Sequence, residues 1–167
     1  MKLLNIILPV VLSLGLIVAY HFTLAPKVAK TAYVDINHLY SEFQMAKELD
    51  IKLKTVQNQR KLVLDSLGMT LDNVVRSKGE SWEANAQLLQ REYSLKQQQF
   101  SEDDARLSKQ YYNQVATQLN QYVQDFSKSK GYEYIFGSAN GSLMAANPSK
   151  DITKEVLVYI NERYGGK

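Results

Sequence analysis

Lys30-Thr-Ala-Tyr-Val-Asp-Ile36 and Tyr132-Glu-Tyr-Ile-Phe136 are two short strand-like pieces, separated by one long polar stretch from Asn37 to Lys130. In the first piece Ala32, Val34 and Ile36 share one face and Thr31, Tyr33 and Asp35 the other, the period of two that marks a half-buried strand. In the second, Tyr132, Tyr134 and Phe136 alternate with Glu133 and Ile135. If the two pieces pair, the stretch between them must leave the sheet, turn and come back. That predicts a long antiparallel coiled-coil helical hairpin inserted after the first strand, projecting from a small β-containing body. Such a shape suits holding or spanning rather than chemistry.

Working outward, Asn37 is a good N-cap, because its side chain can accept a bond from an orphan N–H. Leu39, Tyr40 and Phe43 follow and should pack onto the body. The outgoing stripe then runs Leu49, Leu53, Val56, Arg60, Val63, Leu67, Leu71, Val74, in steps of three and four. That approximates a heptad, the period at which two helices keep one seam in contact. Arg60 interrupts the stripe, and Gly68 weakens the helix by roughly 1 kcal/mol against Ala. Arg76-Ser-Lys-Gly-Glu-Ser81 is the best turn, with Gly79 free to take positive φ and Ser81 placed to cap the next helix. The returning stripe carries Trp82, Ala86, Leu89, Tyr93, Lys96, Phe100, Leu107, Tyr111, Val115, Leu119, Tyr122 and Phe126. Ser101-Glu-Asp-Asp104 has the spacing of a capping interruption that could kink the helix, but fits better as a solvated acidic face. Lys128, Lys130 and Gly131 close the helix, with cations at its negative end and glycine as C′.

Beyond Phe136, Asn140-Gly141 signals a hairpin, with Ser142-Leu-Met-Ala-Ala146 as its second strand. The Asn140-Gly-Ser142 glycosylation match is better explained by that turn. Asp151 should cap a final helix with Ile152, Val156, Leu157 and Ile160 on one face. The expected fold is therefore α+β and mostly helical. A body of residues 31–36 and 131–163 carries an arm of 37–130 whose tip lies at about 76–81.

Residues 1–25 read as a signal peptide or a signal anchor, with 26–30 as a linker. Leu3 to Ala19 is apolar except for Asn5 and Ser13, and Ile17-Val18-Ala19 is an acceptable cleavage site. An anchor needs about 20 apolar residues, which residues 3–25 supply only by including Tyr20, His21 and Thr23. Either way the remainder lies outside the cytoplasm, with inner-membrane contact through 3–25 in the anchored case.

Composition narrows the chemistry. The 167 residues contain no cysteine and two histidines, which excludes disulfides and thiol chemistry. Residues 38–130 hold 13 Lys/Arg against 12 Asp/Glu, so the arm lacks the basic stripe of a nucleic-acid binder. His38 has no nucleophile partner, and no Gly-rich phosphate loop is present. Asp103 and Asp104 project about 100° apart on a helix, with no supporting ligands at a known spacing. An enzyme, a metal site and a cofactor are therefore not expected.

The entry Ala32-Tyr-Val-Asp-Ile-Asn-His-Leu-Tyr40, the long Gln-rich hairpin, the exit Gly131-Tyr-Glu-Tyr-Ile-Phe136 and the close Asn147-Pro-Ser-Lys-Asp-Ile-Thr-Lys-Glu-Val-Leu157 together resemble the Skp (OmpH-like) periplasmic chaperone family. The resemblance covers residues 31–163. It implies a homotrimer with a shared β-barrel-like core, whose arms enclose a cavity that holds unfolded outer-membrane proteins without ATP or metal. This arm is more nearly neutral than the basic arms of that family.

A holdase needs weak, distributed, non-directional contacts, which exposed apolar patches supply. The client-facing candidates are Leu67, Met69, Leu71, Val74, Val75, Trp82, Leu88 and Leu89, near the tip. The competing reading is that they only zip the helices together, and it fits Leu67, Leu71 and Leu89 better. Tyr33, Val34, Ile36, Tyr134 and Phe136 are expected at a subunit interface, with an ordinary monomeric core as the alternative. So small a body has little core of its own, which argues for oligomerisation. The alternative function is an anchored coiled-coil structural or adaptor protein of the cell envelope. The two part on whether the arms enclose a solvent-filled space or pack shut.

Overall fold

The computed structural model describes residues 13–15, 17, 20, 28–139 and 142–166. The chain divides into two compact units, residues 1–30 and 31–167. In the first, residues 13–15, 17 and 20 are helical. Among the described residues no helix is long and apolar enough to cross a membrane. Most of the expected leader or anchor lies outside the described residues.

The second unit runs β1 (Thr31–Asp35), α1 (Ile36–Glu42), α2 (Gln44–Ser77), α3 (Trp82–Lys130), β2 (Tyr134–Ser138), a 3-10 turn (Pro148–Lys150) and α4 (Thr153–Tyr164). The two strands pair in parallel, Thr31 opposite Tyr134 through Asp35 opposite Ser138. The long connection demanded by a parallel pair is the helical hairpin itself. At 1.5 Å per residue α2 is about 51 Å long and α3 about 73 Å.

The core sits where the arm meets the body. Ala32 and Val34 from β1, Leu39 and Phe43 from the arm root, Val115, Leu119 and Phe126 from α3, and Ile152, Val156 and Ile160 from α4 are all buried together. The Asp151-Ile152-Thr153 run ties the last helix to β1. Thr153 Oγ1 accepts from the Asp35 backbone N–H at 2.9 Å and donates to Asp151 Oδ1. Asp151 Oδ1 also accepts from the Thr153 N–H at 2.9 Å, and the Ile152 N–H donates to the Tyr33 carbonyl at 3.0 Å. The hydroxyl and the N–H of the buried threonine are thereby satisfied, as burial requires.

Several local expectations are corrected. The cap is Asp35 rather than Asn37, two residues earlier than expected, and the first helix starts at Ile36, with Asp35 accepting from the His38 N–H at 3.0 Å. Ile36 accordingly leaves the strand face and is exposed. The outgoing helix is broken at Phe43, whose φ of −68° and ψ of 123° are extended. A break orphans backbone groups, and Asn161 takes them up: its Oδ1 accepts from the Gln44 N–H at 2.8 Å and its Nδ2 donates to the Glu42 carbonyl at 3.3 Å.

At the tip, the left-handed residues are Lys78 (φ 45°) and Ser81 (φ 62°), not Gly79. Ser81 occupies the N-cap position without making a side-chain cap bond. A left-handed non-glycine residue costs roughly 1–2 kcal/mol, so the turn is mildly strained. At the other end Gly131 (φ 68°) ends α3 as expected. The returning helix is unbroken at Ser101, because Asp103 and Asp104 turn inward to Arg60 rather than capping or facing water.

The second strand of the expected hairpin does not form. Asn140 and Gly141 lie outside the described residues, and Ser142–Ala146 is irregular. Ser142 occupies the groups a ladder would need: its N–H donates to the Ala139 carbonyl at 2.9 Å, while its Oγ donates to the Gly137 carbonyl at 2.9 Å and accepts from the Ala139 N–H at 3.0 Å.

Gly68 lies within α2, and a Cβ there would meet Tyr93 Cε2 at 3.9 Å, an ordinary contact. Gly68→Ala should therefore gain about 1 kcal/mol from helix propensity alone, read as a higher urea midpoint. Destabilisation would show that the arm needs this glycine's backbone freedom.

Candidate functional site

The arm is held shut by a seam that thins towards its tip. Leu53, Val56, Leu64, Leu67, Leu71 and Val74 of α2 meet Trp82, Ala86, Leu89, Tyr93, Phe100 and Leu107 of α3, all half-buried. No residue between 47 and 114 is fully buried, whereas Val115 and Leu119 at the root are. A two-helix hairpin has only one helix to cover each stripe, so burial is completed only where the body adds a third layer.

The candidate residues fall into two groups. Leu67, Leu71, Val74, Trp82 and Leu89 lie in the seam, half-buried against the opposite helix. Met69 (69% exposed), Leu88 (68%) and Val75 (40%) project into solvent. Val63, expected in the outgoing stripe, is exposed, and Leu64 takes the seam place instead; the other exposed apolar residues on the arm are Ile51, Leu62 (68%), Leu95 and Tyr112, which lie off both stripes. Their signal was their failure to fit the stripe. Ile51, Leu62 and Met69 are spaced by about three and two helical turns, so they share one face, roughly opposite the seam positions. Leu88 and Leu95 likewise share a face of α3. A shallow open groove of about 430 Å³ runs beside them, lined by Leu62, Val63, Ser66, Leu67, Glu92 and Lys96.

Nothing in this surface is shaped for one ligand. It is a row of single apolar side chains on polar helices. Met and Leu are flexible enough to repack against many partners. Charges along the arm are largely spent locally, as in the i,i+4 pairs Lys54–Asp50, Lys61–Asp65 and Arg76–Asp72. The hydrogen bond to Asp65, and then its charge, raise the pKa of Lys61 above the usual lysine value.

The body presents a second apolar patch. Tyr134 (58% exposed) and Phe136 (50%) stack on β2 with centroids 6.2 Å apart. Of the other residues expected at a subunit interface, Tyr33 is half-buried and Ile36 exposed, while Val34 is buried in the chain's own core.

Two phenols pin the root. Tyr164 donates to Glu48 Oε2 at 2.7 Å, fastening α4 to α2. That hydrogen bond, and then burial, raise its pKa above the usual tyrosine value. Tyr40 packs against Tyr112 at 5.7 Å, and its pKa is raised by burial and then by the neighbouring Tyr112 and Asp50. Both groups bind their protons more tightly folded than unfolded. The stability they contribute is complete below the unfolded value near pH 10 and is lost as pH rises through the higher folded values. Urea midpoints should accordingly fall above about pH 10, with a shallower fall in Tyr164→Phe. An identical slope in the variant would show that this contact carries no linkage.

The family model described as outer membrane protein (OmpH-like) matches residues 30–160. Comparison with curated proteins finds no match. Among solved structures, one described as an OmpH-like outer membrane chaperone from Caulobacter crescentus CB15 superposes with a TM-score of 0.71 at 19% sequence identity, covering 83% of this chain and 88% of that one. At that identity the likeness establishes a shared fold. The family match takes in both strands, the whole arm and most of the final helix, and on that ground the chain belongs to the OmpH-like outer membrane protein family.

Proposed function

We propose that this protein is an ATP-independent holdase that keeps unfolded outer-membrane or envelope proteins from aggregating in the periplasm, acting as a homotrimer. The observation that carries the reading is the row of apolar side chains exposed along the distal arm, Leu62, Met69, Leu88 and Leu95, beside one shallow open groove. An unfolded chain offers many apolar segments of no fixed sequence. It is best held by weak contacts that are individually easy to break, each worth up to about 1.5–3 kcal/mol when a Leu or Met is covered. Charged and polar residues between the contacts keep the arm from self-association. No bond is made or broken, so catalytic groups are not needed.

The body supports the oligomeric part of the reading. A two-stranded sheet with two exposed stacked aromatics is a poor free surface, and Tyr33, Ile36, Tyr134 and Phe136 are the residues assigned to its cover. Three arms rising from one such core would bring their apolar rows around a common space.

The test is dilution of a urea-denatured outer-membrane β-barrel protein into buffer with and without this protein, followed by light scattering and mass photometry. Suppressed scattering with one client per trimer is expected. A trimer that leaves aggregation unchanged would remove the holdase reading and point to the structural or adaptor role.

A further inference from the structure

Arg60 stands at a seam position of α2 yet makes polar contacts across to α3. Its Nη1 bonds Asp104 Oδ1 and lies 3.5 Å from the Phe100 carbonyl, its Nη2 is 3.5 Å from Asp103 Oδ2, and its guanidinium sits 5.4 Å from the Phe100 ring centroid. Asp103 is shared with Arg106 at 2.7 Å. The three core side chains are 21–26% exposed. The ion pairs Lys54–Asp50, Lys61–Asp65 and Arg76–Asp72 stay within one helix, so they cannot hold the hairpin closed.

The cluster divides the arm into unlike sections. On the body side the seam leads into fully buried Val115 and Leu119. On the tip side it holds only half-buried contacts, a helix-weakening Gly68 and a turn with two left-handed non-glycine residues. Few buried apolar contacts and solvent-exposed helices are the marks of a segment that opens below the global unfolding free energy.

We propose that Arg60, Asp103 and Asp104 form a clasp, beyond which residues 61–99 open as a unit while the root stays closed. Opening turns Leu67, Leu71, Trp82 and Leu89 outward as additional apolar surface for an unfolded client; this second step rests on the holdase reading. The clasp supplies what the thin seam lacks. Removing Asp104 leaves Arg60 only the longer contact to Asp103 at 3.5 Å, itself shared with Arg106, so a half-buried charge is left poorly compensated. The distal seam is in this account a reserve of contact surface, kept covered until the clasp yields.

Two experiments on the full chain test it. In hydrogen exchange, amides of residues 63–98 should exchange together and faster than those of 107–126. Asp104→Asn should speed the distal block at least about tenfold and leave the root unchanged. A uniform change, or none, overturns the clasp. The second experiment uses the absence of native cysteine. Exposed Ser66 and Glu92, which line one groove from opposite helices, are replaced by cysteine and joined by a reducible bis-maleimide, which holds the distal seam shut. Weaker capture of a denatured outer-membrane protein by the joined form, restored on reduction, supports the opening. Equal capture by joined and reduced forms overturns it while leaving the holdase reading standing. Capture by neither form overturns both.

Discussion

Phe43→Ala is expected to lower folding stability by about 3–5 kcal/mol, the cost of emptying a fully buried phenylalanine site. Phe43 is 0% exposed and sits at the break between α1 and α2. Its ring meets Tyr122 at 6.2 Å and Tyr164 at 5.7 Å, both edge-on, so it joins the outgoing helix, the returning helix and the last helix at one point. The break aims the ring into the core, and Asn161 makes the break tolerable by bonding the groups on either side of it. Total stabilities of small domains are about 5–15 kcal/mol. The variant should therefore be largely unfolded or unfold at much lower urea, read by far-UV circular dichroism. A loss under about 1 kcal/mol would contradict the assignment, since such a loss is typical of surface sites. Phe136→Ala, at a half-exposed site, is the matched control.

Leu62→Glu, Met69→Glu and Leu88→Glu combined should leave the fold intact and abolish most client holding. All three side chains are about two-thirds exposed, so each substitution should change stability by no more than about 0.5 kcal/mol. Each removes an apolar contact worth up to about 1.5–3 kcal/mol and adds a charge that must be desolvated on contact. Every 1.4 kcal/mol is a factor of about ten, so affinity for a denatured barrel protein should fall at least about a hundredfold. Titration of labelled client, with circular dichroism as the fold control, reads both. Undiminished affinity would place client contact elsewhere than the distal arm.

The gross architecture was legible because two periodicities meet in the sequence. Alternation marks Ala32 and Val34 in β1, and steps of three and four mark both helices of the arm. Lys128, Lys130 and Gly131 end α3 as their chemistry dictates. What escaped depended on partners distant in sequence. The break at Phe43 needs Asn161, and the inward turn of Asp103 and Asp104 needs Arg60, so an isolated acidic run read as a solvated face. Asn140-Gly141 signals a turn, but Ser142 sits where it can bond the end of β2, and the ladder goes no further. The stripe also drew attention to seam residues, while the exposed row of Ile51, Leu62 and Met69 consists of the apolar residues that depart from it.

The central claim, that unfolded clients lie against the distal arm, is tested most directly by site-specific photo-cross-linking. A photoreactive residue is placed at Met69 on the arm and, separately, at exposed Val158 on the body helix, and each variant is mixed with a denatured outer-membrane β-barrel protein. Cross-links to client from position 69 and none from 158 are predicted. Cross-links from 158 alone, or equally from both, would contradict the account.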